Sequence, residues 1–310
     1  MFEKRALMFL YAISPVHMGA GQAIGVVDNP IQREKHTNHP ILAGSGLKGA
    51  LRDVFQAKEG DELTGRIFGP EASASDHAGA VSFSDAGVVL FPVRSLRESY
   101  AYVTSPTALA RLRRAAQLCE LELDWQVPEV SNDSQCLVAS SQSKLLFGSG
   151  GQGAGQRLVL ETFEFQAEAD EEVAKVAAWL ASRAILSEDG FHYFREKLKK
   201  DLVVLSDTRF KYYVENGTIV EPHVRINDEL GTADDGGLFY TENVPPEALF
   251  VSLMLASRER VKKGAEKDQI LTSSEVLKAL VETLHGEVVQ IGGDATTGRG
   301  LVALSVVSKS

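Results

Sequence analysis

An α+β fold is predicted for this chain of 310 residues, and three observations predict it. Apolar runs of strand length lie near both ends, at Arg5 to Ile13 and at Leu301 to Val307. Amphipathic helical spacing follows the first run and precedes the last pair of strands. Strand and helix segments otherwise mix without a regular βα alternation, which disfavours a doubly wound sheet.

Each element has its own local cause. Arg5 to Ile13 is a continuous run of large apolar residues, the pattern of a central strand, and Ser14-Pro15 ends it. A glycine-rich polar stretch continues to Pro40, and from Ser45 the spacing Leu47, Ala50, Leu51, Val54, Phe55 predicts a helix with Ser45 as its N-cap. The middle holds short strand-like pieces at Ala80 to Phe83 and Val88 to Pro92, and a helix from Ser105-Pro106, where serine caps and proline takes the first turn. Gly148 to Gly153 matches G-x-G-x-x-G but precedes a strand-like stretch, Arg157 to Phe165, where a dinucleotide loop must open a helix; it reads as a flexible loop. Helices follow at Glu171 to Leu186 and Phe191 to Lys200, then strand-like stretches around Val203, Tyr212 and Val224, with Asn216-Gly217 placed as a hairpin turn. Ala248 to Ala256 is again a strand, Thr272-Ser-Ser-Glu275 is a capping box opening a helix through Leu284 closed by Gly286, and the chain ends as a strand at Glu287 to Ile291, a glycine loop at Gly292 to Gly300 and a last strand at Leu301 to Val307.

The net charge of −10 argues at first against a nucleic-acid partner. Two stretches, Cys119 to Ser134 and Glu161 to Glu172, hold eleven acids and no Lys or Arg, so the remainder is close to neutral. These stretches are expected to face solvent or a basic partner, since they cannot lie along RNA without repulsion. Arg258 to Lys267 is basic and reads as a solvated face or an RNA contact. Two cysteines, with no CxxC pair, fit a reducing cytoplasm, and no apolar run is long enough to span a membrane.

Three segments could carry chemistry. Ser14-Pro-Val-His-Met-Gly-Ala-Gly21 through Asp28-Asn-Pro30 displays His17 and Asp28 on a loop leaving a strand, although Asp-Asn-Pro also reads as a plain turn. Gly44-Ser-Gly-Leu-Lys-Gly-Ala-Leu-Arg52 combines a helix start with Lys48 and Arg52 one turn apart, either a phosphate cradle or an ordinary helix with solvated charges. Gly292-Gly-Asp-Ala-Thr-Thr-Gly-Arg-Gly300 is a loop that suits an RNA backbone or simply a tight connection with Arg299 in water. His36 and His39 lack a third metal ligand and read as loop histidines. Tyr240 and Glu242 would share one face of a strand.

In this order and placement the segments resemble the RAMP (repeat-associated mysterious protein) superfamily of CRISPR proteins, and within it the backbone subunit of the type III-B effector, the Cmr complex. The resemblance runs from Ala6 to Leu304, and the type III-A backbone subunit shares most of it. It implies one domain over 1–310, with a ferredoxin-like, RRM-type palm from 1–58 and 248–310 with helix 171–186, an insertion over about 59–165, and a thumb-type β-hairpin over about 202–240. It implies copies stacked along a CRISPR guide RNA beside other Cmr-type subunits, and a metal-dependent endoribonuclease that cuts single-stranded target RNA paired to the guide. Asp28 matches the cleavage aspartate and the possible ligand of a divalent ion, Mg²⁺ or Mn²⁺. His17, Tyr240 and Glu242 fall at or near the same site. Ser45, Lys48 and Arg52, with Gly292, Gly293, Thr297, Gly298, Arg299 and Gly300, match the guide-binding elements. Without the resemblance, the same residues also suit an RNA scaffold that does not cut, or an enzyme acting on a phosphorylated metabolite.

Overall fold

The first strand is apolar at nearly every position because it is covered on both faces. In the computed structural model, which describes residues 2–21, 26–70, 77–148, 155–227, 229, 231–261 and 270–309 (side chains of 234–236 excepted), β1 (Lys4–Ala12) lies deep in a twelve-stranded mixed sheet. Ala6, Met8, Leu10 and Ala12 point into one core, and Leu7, Phe9 and Tyr11 into the other, the period-two alternation of a strand with no wet side.

The remaining strands in chain order are β2 (Ile41–Leu42), β3 (Val81–Phe83), β4 (Ala86–Arg94), β5 (Tyr100–Thr104), β6 (Gln135–Val138), β7 (Arg157–Leu160), β8 (Phe163–Ala169), β9 (Leu202–Leu205), β10 (Ile219–Ile226), β11 (Ala233–Asn243), β12 (Leu249–Ala256), β13 (Val288–Gln290) and β14 (Leu301–Ser308). The helices are α1 (Gly44–Phe68), α2 (Pro106–Leu118), α3 (Glu171–Arg183), α4 (His192–Asp201), α5 (Asp207–Asn216) and α6 (Ser273–Leu284). The sheet runs β13-β14-β1-β12-β4-β5-β9-β6-β8-β7, with β2 on β4 and β3 on β12, while β10 and β11 form a separate two-stranded ribbon. From β13 to β5 all neighbours are antiparallel; β5–β9 and β6–β8 are parallel.

Helices α1 and α6 cover one face through Leu47, Leu51, Phe55, Val276, Leu280 and Leu284. Helices α2, α3 and α4 cover the other through Leu109, Leu112, Val176, Leu180 and Leu198. Both cysteines are free and buried, and desolvation pushes the Cys119 thiol up to about 11 and the Cys136 thiol up to about 12. No helix among the described residues is long and apolar enough to cross a membrane.

The local signals for α2 and α6 are present in three dimensions: Ser105 accepts from the Ala108 N–H, and Thr272 with Glu275 forms the reciprocal capping box; α3 is also capped, Asp170 accepting from Glu172 and Val173. Three expectations are corrected. The N-cap of α1 is Ala43, not Ser45, which lies exposed inside the first turn; the Asp85 carboxylate accepts the Gly44 N–H at 2.8 Å in place of a local cap. That helix continues to Phe68 across a break at Gly60 (φ 81°). Arg157 to Phe165 is two strands, because Glu161 at φ 53° turns the chain between β7 and β8. Asn216-Gly217 ends helix α5, capped at its start by Ser206, so Tyr212 is helical and no hairpin turns there. Gly148 to Gly153 lies, after its first residue, outside the described residues.

Candidate nucleic-acid interface and cleavage site

The ribbon strand β11 has one edge paired to β10 and one facing the loop that leaves β1. Along that second edge, Val16 and Val244 exchange backbone hydrogen bonds of 3.0 and 2.9 Å. Further along, Asn29 donates to Tyr240 at 3.0 Å and accepts from Glu242 at 2.9 Å, a parallel bridge to Thr241. Loop residues distant in sequence are thereby laid on one strand in fixed register.

This register sets both reactive candidates. The Tyr240 N–H donates to Asp28 Oδ2 at 2.8 Å, and His17 Nδ1 lies 2.7 Å from the Glu242 carbonyl oxygen. Their anchoring residues are two apart, roughly 7 Å of strand. A carbonyl only accepts, so His17 carries its proton on Nδ1 when neutral and presents Nε2 as an acceptor. Gly19 leaves room for the ring, since a Cβ there would lie 2.9 Å from Nε2. Asp28 is exposed and His17 half-buried.

Glu242 sits differently. It is buried, and its carboxylate is fully engaged: Arg33 Nη2 at 2.6 Å and Thr218 Oγ1 at 2.7 Å on Oε1, and the Ile31 N–H at 3.1 Å on Oε2. Arg33 also donates to the carbonyls of Asn38 and Val214. This network, whose Arg33 the sequence did not flag, ties the Asp28 loop to β11 and α5. Tyr240 is half-buried, opposite Pro222 of β10. On that ribbon face Val220, Val224 and Leu238 are about half exposed, an apolar surface beside Asp28 whose sequence signal was the alternation of Ile219 to Ile226.

The third and second segments close on the same loop. Gly293 donates to the His17 carbonyl at 2.8 Å and Gly300 to that of Pro15 at 2.8 Å. Gly292, at φ 86°, passes so close that a Cβ would lie 2.2 Å from the His17 carbonyl oxygen. Thr297 Oγ1 donates to the Asp294 carbonyl, and Gly298 and Gly300 also have positive φ. Arg299 is neither in water nor free: it pairs with Glu221 of β10 and binds the glycine loop to the ribbon. On α1, Gly46 faces Met18, with a Cβ placed 3.1 Å from its sulfur. Lys48 is half-buried, and desolvation, then the charges of Arg52 and Arg260, hold its ammonium below the usual lysine range. Arg52 donates to the Gly69 carbonyl at 2.7 Å. The helix start is not an empty phosphate cradle, because Asp85 already takes the Gly44 N–H.

No cluster of three or more His, Cys, Asp or Glu able to hold a metal exists among the described residues. Asp28 has one oxygen engaged by the Tyr240 N–H, so it can give a divalent ion a single ligand, the rest coming from phosphate and water. His36 lies against Arg111, and His39 is buried edge-on against Phe210 at 5.3 Å.

A model of the family described as "RAMPs: RAMP superfamily" matches residues 9–303. The chain belongs to the RAMP superfamily. Among curated RAMP relatives, the CRISPR system Cmr endoribonuclease Cmr4 of Pyrococcus furiosus is 34% identical over 308 residues, covering 98% of this chain and 96% of that one. The crystal structure of oligomeric Cmr4 from that organism is similar with a TM-score of 0.70 at 28% identity, covering 99% of each chain. A cryo-EM structure of the type III-B Cmr-beta complex bound to cognate target RNA shares the fold, with a TM-score of 0.71 at 19% identity over 98% of each chain.

Proposed function

We propose that this RAMP protein is the backbone subunit of a type III-B Cmr-type complex in the cytoplasm, holding guide RNA and cleaving complementary target RNA at regular intervals. The observation that carries the reading is the shared edge of β11, which presents Asp28 and His17 side by side next to an exposed apolar ribbon. Full-length similarity to Cmr4 supports it. The palm we assign is ferredoxin-like: β14, β1, β12 and β4 lie in antiparallel order with α1 and α6 on one face, the arrangement of a split βαβ pair. The ribbon β10–β11 is the thumb, and copies of the chain stack along the guide.

RNA supplies its own nucleophile, the 2′-hydroxyl. The apolar ribbon face, Val220, Val224 and Leu238 with Tyr240, wedges against bases and bends the target backbone toward in-line geometry, which by positioning alone is worth several powers of ten. Asp28, fixed through Oδ2, offers its other oxygen to the 2′-hydroxyl proton as the 2′-oxygen bonds to phosphorus; the P–O5′ bond breaks, the departing 5′-oxygen takes a proton from water, and His17 presents Nε2 from the same strand edge. A divalent ion carried by the phosphate would neutralise charge on the phosphoryl oxygens, and where it touches Asp28 that free oxygen would serve as its ligand instead of as the base. The glycine loop fixes the main chain under His17, and Lys48 and Arg52 meet guide phosphates without reading sequence.

The test is Asp28→Asn in the reconstituted complex. Asn keeps an oxygen for the Tyr240 N–H, so stability and guide binding stay unchanged while cleavage falls by roughly 10²-fold or more. Cleavage within a few-fold of wild type would leave the scaffold reading in its place.

A further inference from the structure

A cation that the site above does not use lies beside the end of β12. Lys48 and Arg52 are four residues apart on α1 and project from one face. Arg52 is directed along the helix by its bond to the Gly69 carbonyl, and the backbone carries that corner across to another segment: Ala80 donates to the Ile67 carbonyl at 2.7 Å, and Ser257 to that of Ala80 at 2.8 Å. Gly79 permits the crossing, since a Cβ there would lie 2.4 Å from the Phe68 carbonyl oxygen. Residues 257–261 therefore run alongside α1.

Within that segment Glu259 is turned inward and buried. Arg66 grips its carboxylate through three hydrogen bonds of 2.7, 3.0 and 3.1 Å, and the Leu271 N–H donates to it at 3.1 Å. Alternation along an extended segment turns the neighbours outward, and Arg258 is exposed and Arg260 half-buried. Arg260 acts on the Lys48 ammonium with the same sign as Arg52, and among the described residues no acid acts there. Three cations held together repel one another, and an anion relieves that repulsion.

We infer that Arg260 completes a three-cation corner with Lys48 and Arg52 that binds phosphodiester groups of RNA. This rests on the guide-RNA reading above and extends it with a residue remote in sequence from α1. The pair of Arg66 with the buried Glu259 holds the segment that presents it.

The experiment measures guide-RNA affinity over a salt series for wild type, Arg260→Gln and Lys48→Gln in the full chain, with thermal unfolding as the folding control. The expected result for Arg260→Gln is an unchanged unfolding midpoint, a loss of roughly tenfold in affinity and a log K against log salt slope shallower by about 0.7, one phosphate contact. If Arg260→Gln matches wild type while Lys48→Gln weakens binding, the inference is overturned and the guide-RNA reading stands. If neither variant changes the affinity or slope of a wild type that binds the guide, both the inference and the assignment of α1 to the guide are overturned.

Discussion

Glu242 separates two roles that activity measurements alone confuse, a group in the chemistry and a tether for the loop that carries it. The geometry makes it a tether: both oxygens are occupied, and its partners Arg33, Thr218 and Ile31 belong to the segments that frame Asp28. Glu242→Gln preserves shape, but an amide has one acceptor end. Either the Ile31 N–H or the Arg33 and Thr218 donors then lose their partner, at about 1–3 kcal/mol. Glu242→Ala removes the whole carboxylate from a pair whose side chains are 15% and 9% exposed and leaves Arg33 on carbonyls alone, about 3–5 kcal/mol. At roughly 2–4 °C per kcal/mol for domains somewhat smaller than this one, the first is a shift of a few degrees and the second clearly larger. Thermal unfolding of each variant, followed by cleavage assays in reconstituted complex well below its midpoint, separates the roles. Glu242→Gln should cut within about tenfold of wild type, in contrast to Asp28→Asn. A Glu242→Gln protein with wild-type stability and cleavage as low as Asp28→Asn would refute the tether and put Glu242 in the chemistry.

Other outcomes follow from the same contacts. Gly292→Ala should destabilise far more than Gly21→Ala in denaturant unfolding: both have φ 86°, which costs about 1–2 kcal/mol with a Cβ, but only Gly292 also meets the His17 carbonyl. Arg299→Gln should cost at most about 1 kcal/mol, and should speed amide exchange in β10 and β11 by freeing the ribbon from the glycine loop. Burial against Phe210 holds the His39 pKa below its ordinary 6.5. The unfolded chain therefore binds that proton more readily, so stability is complete above about pH 6.5 and declines as pH falls below it. His39→Gln should flatten the decline between about pH 6.5 and 5 in a pH series of unfolding midpoints.

How much was legible depends on the range of the cause. Helices α2 and α6 were readable because Ser105 and Thr272 cap within three residues of themselves, and α3 because Val173, Val176, Ala177 and Leu180 recur at helical spacing. β1 was readable because two-sided burial writes an unbroken apolar run. The start of α1 was misread because its cap is Asp85, which no window around Ser45 contains. Asn216-Gly217 is equally at home in a hairpin and at a helix end, and Ser206 decided for the helix. In the site, single residues such as His17 and Asp28 stood out, but their common anchor on β11 is a matter of strand register between residues more than 200 apart. Arg33 was invisible for the same reason: its acceptors at Asn38, Val214 and Glu242 come from three segments.

The negative net charge now has a location. Cys119 to Ser134 packs through Trp125 onto the layer of α2 and α3, on the sheet face opposite α1, where Trp125 meets Trp179 edge-on at 6.0 Å. Much of Glu161 to Glu172 lies in β8, near the end of the strand order farthest from β13 and β14, whose connection is the glycine loop. Lys48, Arg52 and the glycine loop thus share one side of the chain, and the acid-rich stretches lie on the other face and at the far end of the sheet. Fields from charges separated by a domain's thickness are damped at physiological salt, whose Debye length is about 8 Å. A phosphate at the α1 corner therefore responds to the cations within a few ångströms of it rather than to the total of −10. Lowering the salt lengthens that reach and lets the distant acids oppose binding. Neutralising acids in Cys119 to Ser134 should consequently strengthen guide binding at low salt and leave it unchanged at physiological salt, whereas removing Lys48 weakens it at both.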